Sequence, residues 1–337
     1  MSGGINAVAW VLWFLAMVVV PLTSRNPLYL VLVLMVAVAV LFSLPQQHGQ
    51  TSAWRLFAYI GSGVATLSIG FNVLTVHAGN RQFARLPDSW PIIGGSLTIN
   101  ALAYGTISAI AIASVLFGAA TFNSAVRHAD LVRLLPGSLS RFGVAAGVAL
   151  LFVPQTISAS RDIYDAQRAR GHHFRSLGDA RAFVVPLLST SLERALLLSE
   201  ALETRGFGTS AIVRQPERHA PLASIGSALS IVLALIALGL GSYTPGILFM
   251  GFAVALALVG SNGHVRRTRF RPIEWSPRSL LVGATSAVTL LVLLFGRAVT
   301  DLHLTYDTFP TIEPPQFSIL AGAAIMLLVL PALVVER

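Results

Sequence analysis

Residues 161–171, RDIYDAQRARG, and residues 193–206, ERALLLSEALETRG, are two polar helical segments that end in the same way. Each finishes with a small residue, an arginine and a glycine, which are Ala169-Arg170-Gly171 and Thr204-Arg205-Gly206. Glycine often follows a helix C-terminus because it adopts the left-handed conformation there without strain. The pattern therefore predicts two consecutive amphipathic helices, each presenting an arginine on its last turn.

The chain as a whole is strongly apolar. Of 337 residues, 55% are hydrophobic and 11% are charged, and the mean hydropathy is +0.74. Soluble domains carry about 25% charged residues, so the composition indicates a membrane protein. The absence of cysteine excludes disulfides and thiolate metal sites.

Apolar runs of about 20 residues are long enough to cross the hydrocarbon core of a bilayer. Eight runs approach this length and are predicted to span the membrane: 7–22, 27–44, 56–76, 98–120, 222–240, 244–260, 279–297 and 317–335. The predicted fold is therefore an all-α integral membrane protein of about eight transmembrane helices.

The arginines orient these spans, because cytoplasmic loops carry an excess of basic residues. Residues 121–221 contain twelve arginines and the loop 261–278 contains five, whereas the loop 298–316 contains three acidic residues and no arginine. Both basic segments and both termini are thus predicted to be cytoplasmic in a multi-pass cell-membrane protein.

The predicted topology divides the chain into three parts. Residues 1–120 form an N-terminal four-helix membrane region, 121–220 a cytoplasmic coupling-helix region, and 221–337 a C-terminal four-helix membrane extension.

Within the middle part, residues 141–153 are an apolar segment too short to span, and Pro154 and Pro186 are each predicted to open a helix. Helical spacing places apolar stripes on these helices, at Val153, Ile157, Ser160, Tyr164 and Gln167, and at Leu188, Leu192, Ala195, Ser199 and Leu202. Beside the first stripe, Arg161, Asp165 and Arg168 have the spacing for ion pairs.

The predicted spans contain no acidic residue. Proton-coupled carriers use carboxylates or imidazoles inside the membrane, so a self-powered proton pump is disfavoured. A sodium carrier that uses backbone carbonyls at broken helices stays open. Small residues in the third and fourth spans, such as Gly70 and Gly105, are better explained by close helix packing than by a substrate path.

A single arginine at a helix C-terminus has a simple explanation, because the helix dipole favours a cation there. Two such ends in one cytoplasmic segment, with the same following glycine, are better explained by a partner that binds at two similar points.

The stretch from about Leu97 to Gly208 resembles the transmembrane T component of energy-coupling factor transporters, the family that includes cobalt and biotin importer permeases. The likeness is carried by Ala120-Thr121, Asp130-Leu131-Val132, Leu135, Phe152-Val153-Pro154, the segment 165–171, Pro186-Leu187-Leu188 and the segment 200–207. It covers about a third of the chain.

The resemblance implies a scaffold that couples ATP hydrolysis by two ABC ATPase subunits to uptake of a vitamin or metal ion. A separate membrane protein, the S component, would capture the substrate. Arg170 and Arg205 would dock the two ATPases, and Ala169, Gly171, Thr204 and Gly206 would shape the helix ends. The bilayer is the other expected partner, and neither a nucleic acid nor a cofactor is implied. Thr204 stands where the family usually has alanine, and the four spans after residue 221 exceed the family's usual one or two.

Three other functions are alternatives to the scaffold hypothesis: a permease of another ABC importer, a secondary carrier, and a membrane enzyme such as a prenyltransferase. The enzyme hypothesis depends on Asp162 and Asp165, yet such enzymes need a second acidic cluster to bind magnesium diphosphate. The sequence has no GxxxxGK[ST] phosphate loop, so the chain is not expected to hydrolyse ATP or to be an enzyme.

Overall fold

The computed structural model describes residues 5–45, 53–87, 89–90, 94–134, 140–171, 180–206, 219–261, 275–296 and 301–335. In chain order, the helices are α1 (Ala7–Thr23), α2 (Pro27–Ser43), α3 (Ala53–Thr75), α4 (Ile99–Ala125), α5 (His128–Arg133), α6 (Ser140–Ala169), α7 (Arg181–Thr204), α8 (His219–Gly239), α9 (Tyr243–Ser261), α10 (Pro277–Phe295), α11 (Ile319–Met326) and α12 (Leu330–Val334). A 3-10 turn, Leu327–Val329, joins α11 to α12. An antiparallel pair of short strands, β1 (Gln82–Leu86) and β2 (Gly95–Thr98), lies between α3 and α4.

The predicted helical class is confirmed, since each apolar run predicted as a span is helical over most of its described length. By length and composition, five helices in the described part of the chain could cross a membrane: Arg55–Thr75, Ile99–Ala125, Arg181–Thr204, Leu222–Gly239 and Pro277–Phe295. The remaining predicted spans correspond to shorter apolar helices, Ala7–Thr23, Pro27–Ser43, Tyr243–Ala257 and Ile319–Val334. The number of eight spans therefore stays a prediction.

One of the five, α7, was predicted to be cytoplasmic. It is long and apolar enough to span, but Glu193 and Arg194 lie at its middle. A charged side chain at the centre of a membrane helix costs about 2.5–3.5 kcal/mol on insertion scales. This cost favours a position of α7 outside the hydrocarbon core.

Labelling a cysteine at Glu193 tests where α7 lies. In this cysteine-free chain, a Glu193→Cys variant should react with a membrane-impermeant maleimide in inside-out vesicles and stay unlabelled in intact cells. Protection from the reagent on both sides would place the middle of α7 within the bilayer. A cysteine at Leu291, which is exposed on the candidate span α10, supplies the protected control.

Both prolines predicted to open a helix lie inside one instead. Pro154 is in the middle of α6, which begins at Ser140 and includes the apolar segment 141–153. Pro186 follows the first turn of α7, which begins at Arg181. Proline removes a single helical hydrogen bond, and the helix continues where the flanking residues are held in helical conformation by the turns on either side.

The described residues fall into two compact units, one within 1–127, 227–255 and 269–337 and the other within 128–226 and 256–268. In the first unit, α1 packs on α4 and α10, and α4 packs on α2 and α3. Trp10 and Trp13 of α1 are fully buried and meet edge to face, with ring centroids 5.6 Å apart. The predicted role of small residues in packing holds at Gly105, where an added Cβ would lie 3.0 Å from the Cα of Ile69, but not at Gly70, where an added Cβ would meet nothing within 4 Å.

Polar side chains tie the segment 301–318 to the N-terminal helices of the same unit. Asn26 Nδ2 donates hydrogen bonds to the carbonyls of His303 at 3.0 Å and Gln316 at 2.6 Å. Asn100 Nδ2 donates to the carbonyls of Thr308 and Pro310, at 2.7 and 3.0 Å. The described residues beyond 269 thus belong to the same compact unit as α1, α2 and α4. The predicted division at residues 120 and 220, into two membrane regions and a cytoplasmic region, stays a prediction.

The strand pair was not predicted from the sequence. Its register pairs Gln82 with Thr98 and Leu86 with Gly95, with an irregularity between Gln82 and Ala84. Two short strands with mixed polar residues have no clear alternation of polar and apolar positions, so the pairing depends on α3 and α4 bringing the segments together.

Candidate functional site

The first arginine–glycine end closes α6. Ala169 is the last helical residue, and the Arg170 N–H donates to the Ala166 carbonyl at 3.2 Å. Gly171 has a φ of +80°, and its N–H donates to the Arg168 carbonyl at 2.9 Å. An added Cβ at Gly171 would meet nothing within 4 Å. The requirement for glycine therefore comes from the left-handed backbone and not from crowding.

The second end, at the C-terminus of α7, also places a left-handed glycine directly after the arginine. Thr204 is the last helical residue, Arg205 is the C-cap with φ −85° and ψ 5°, and Gly206 has a φ of +73°. The Gly206 N–H donates to the Glu203 carbonyl at 2.8 Å. The two ends are alike in that each arginine is followed by a left-handed glycine whose N–H donates to the carbonyl three residues earlier. They differ at the arginine itself, since the Arg205 N–H donates to the Glu203 carbonyl and the Arg170 N–H to the carbonyl four residues before it.

Thr204 differs from alanine by a hydroxyl and a methyl group, and the hydroxyl is used locally. Its Oγ1 donates to the Ala201 carbonyl at 3.1 Å, within the last turn of α7. The hydroxyl is thereby occupied inside the helix, on the carbonyl four residues before Arg205, whereas the corresponding carbonyl at the first end, that of Ala166, accepts the Arg170 N–H.

Both arginines are exposed, and within the described residues neither guanidinium has a hydrogen bond or an ion pair. Arg168 differs, because its guanidinium carbon lies 5.9 Å from the centre of the Tyr164 ring one turn earlier on α6. The ion pairs considered for Arg161, Asp165 and Arg168 do not form among the described residues. A planar guanidinium without an internal partner is suited to a bidentate contact with a carboxylate of another protein.

The apolar stripes of the two helices are largely uncovered in this chain. On α7, Leu188 and Leu192 are each 63% exposed, and no residue of that helix is buried. On α6, Val153, Ile157 and Tyr164 are also exposed. The two helices pack on each other, but this contact leaves most of the α7 stripe outside it.

Gln167 was assigned from the sequence only to the apolar face of α6. The structure gives it a specific contact, because its Nε2 donates a hydrogen bond to the Ala182 carbonyl of α7 at 3.0 Å. A glutamine three residues before the arginine carries no signal by itself. The sequence feature that could have indicated this contact is the proline four residues after Ala182.

Comparison with known families gives a match that includes this region of the chain. The family model described as CbiQ, cobalt transport protein, matches residues 4–219, which include α1 to α7 and both arginine–glycine ends. The chain belongs to the CbiQ family. CbiQ proteins are multi-pass membrane components of ABC-type transport systems and work with ABC ATPases, so the predicted resemblance is confirmed.

The family match shows that this CbiQ protein is a component of a membrane transport system. Residues 220–337 lie beyond the matched region. No curated protein matches the chain. Among the residues that the structure describes, no group of three or more His, Asp or Glu side chains could hold a metal ion.

Proposed function

We propose that this CbiQ protein is the transmembrane scaffold of an energy-coupling factor importer. Arg170 and Arg205 each dock one of two ABC ATPase subunits at the cytoplasmic face. A separate S component captures the substrate, and α6 and α7 transmit ATPase motion to it. The likeness of the two helix ends carries the proposal, since two like cations suit two like ATPase subunits.

The exposed stripe of α7 supports the same assignment. A leucine-rich face that stays open to solvent is costly in an isolated cytoplasmic helix and marks a site of contact with another protein or with the membrane. In the proposed assembly the S component covers this face. Tilting of packed helices is a known form of domain motion, and it provides the path from the ATPases to the substrate protein.

The family description names cobalt, so a divalent metal ion is the first substrate to test, followed by a vitamin. In an importer of this type the S component selects the substrate, and this chain needs no substrate site of its own.

Reconstitution in liposomes tests the proposal. The chain alone is expected to take up no Co²⁺ under an ion gradient and to hydrolyse no ATP. Uptake, followed with a metal-sensitive dye, should require two ATPase subunits and the S component together. ATPases lacking the phosphate-loop lysine are the matched control, and they should give no uptake.

Other outcomes identify the competing functions. Gradient-driven uptake by the chain alone would make it a secondary carrier. ATP-driven uptake without an S component would make it a permease of another ABC type.

A further inference from the structure

Gln167 connects the end of α6 to the beginning of α7. It lies three residues before Arg170, and its side-chain amide reaches Ala182, in the first turn of α7, at 3.0 Å. Both residues are partly shielded from solvent. The hydrogen bond therefore joins the last turn of one arginine-bearing helix to the first turn of the other.

The Ala182 carbonyl needs such a donor because of Pro186. In an α-helix this carbonyl would accept the N–H of residue 186, but proline has none, and its ring crowds the carbonyl four residues earlier. A carbonyl shielded from water and left without a donor is destabilising. The Gln167 amide supplies the missing hydrogen bond from a different helix.

We infer that Gln167 is a positioning residue that holds the Arg170 end of α6 on α7. The inference rests on the proposed docking role of the two arginines. Because α7 is a continuous helix of 24 residues, fixing its first turn against α6 also sets where its other end, Arg205, lies relative to Arg170. Pro186 contributes to this contact because it has no N–H, so the Ala182 carbonyl is free to accept a hydrogen bond from a donor outside α7.

A distance measurement on the chain without ATPases tests the contact itself. Spin labels on cysteines at Asp165 and Ser189, both exposed, report the distance between α6 and α7. Gln167→Leu, which keeps the side-chain volume but not the donor, should broaden the distance distribution. Gln155→Leu, at an exposed glutamine on the same helix, should leave it unchanged.

Pro186→Ala separates this hydrogen bond from general packing. The variant restores the N–H of residue 186, so the Ala182 carbonyl is satisfied within α7. Gln167→Leu should then broaden the distribution much less than it does in the natural chain. Equal broadening in both backgrounds, or none in the natural chain, would overturn the inference.

Binding of the ATPase pair is the second readout. Gln167→Leu should weaken it about 2- to 12-fold, the equivalent of one net hydrogen bond, and Pro186→Ala should reduce this loss. Unchanged affinity in Gln167→Leu, with affinity still lost in Arg170→Ala, would overturn the positioning role and leave the docking proposal intact. If Arg170→Ala also binds normally, the docking proposal fails, whereas the distance measurement still decides whether Gln167 ties the two helices.

Discussion

Replacing both Arg170 and Arg205 with alanine is expected to abolish binding of the ATPase pair and ATP-driven transport. Each single change should weaken binding by about 2–5 kcal/mol, as when one partner of a buried charged pair is removed. That range corresponds to roughly 30- to several-thousand-fold in affinity. Retention of purified ATPases by the immobilised chain in mild detergent measures the effect.

Arg168→Ala is the matched control for the first helix end. Arg168 lies two positions from Arg170 and is also exposed, but its guanidinium is placed against Tyr164. It should bind the ATPases nearly as the natural chain does. Lysine at 170 or 205 should restore little, because an ammonium lacks the planar fork of arginine. Retention of the ATPases by the double alanine variant at the natural yield would disprove the docking assignment.

Trp13→Ala is expected to destabilise the membrane core by about 3–5 kcal/mol, as is typical when a buried tryptophan is truncated. Trp13 is fully buried, packs on Trp10, and donates from Nε1 to the Leu328 carbonyl at 2.8 Å. The substitution removes this packing and leaves the Leu328 carbonyl without its donor. In a bilayer, where apolar surface is not driven from water, such packing and hydrogen bonds hold helices together.

Two variants define the origin of this loss. Trp13→Phe keeps most of the packing and should cost less, about 1–3 kcal/mol for the unsatisfied carbonyl. Trp90→Ala, at a tryptophan that is 54% exposed, should have almost no effect. Thermal unfolding in detergent, followed by circular dichroism, measures all three. A Trp13→Ala midpoint equal to that of Trp90→Ala would show that the segment around Leu328 does not support α1.

Much of the helical architecture followed from sequence. Apolar runs become helices because a lipid environment requires every backbone polar group to be bonded within its own segment. The boundaries at Gly171 and Gly206 followed equally well, since a glycine in the left-handed region ends a helix through local backbone preference alone. The starts of α6 and α7 did not follow, because the sequence predicts helix starts at Pro154 and Pro186 and both prolines lie within helices.

The sequence alone determined the membrane class, the helical runs and the two arginine–glycine ends, all of which depend on local composition or on a few neighbouring residues. Only the tertiary structure decided which distant groups meet. Trp13 and the Leu328 carbonyl are 315 positions apart, and no local pattern relates them. Gln167 and Ala182 are closer in the chain, but their contact depends on how α6 and α7 pack on each other. Such pairings form because a shielded carbonyl must find a donor, and which donor is within reach depends on the packing of whole helices.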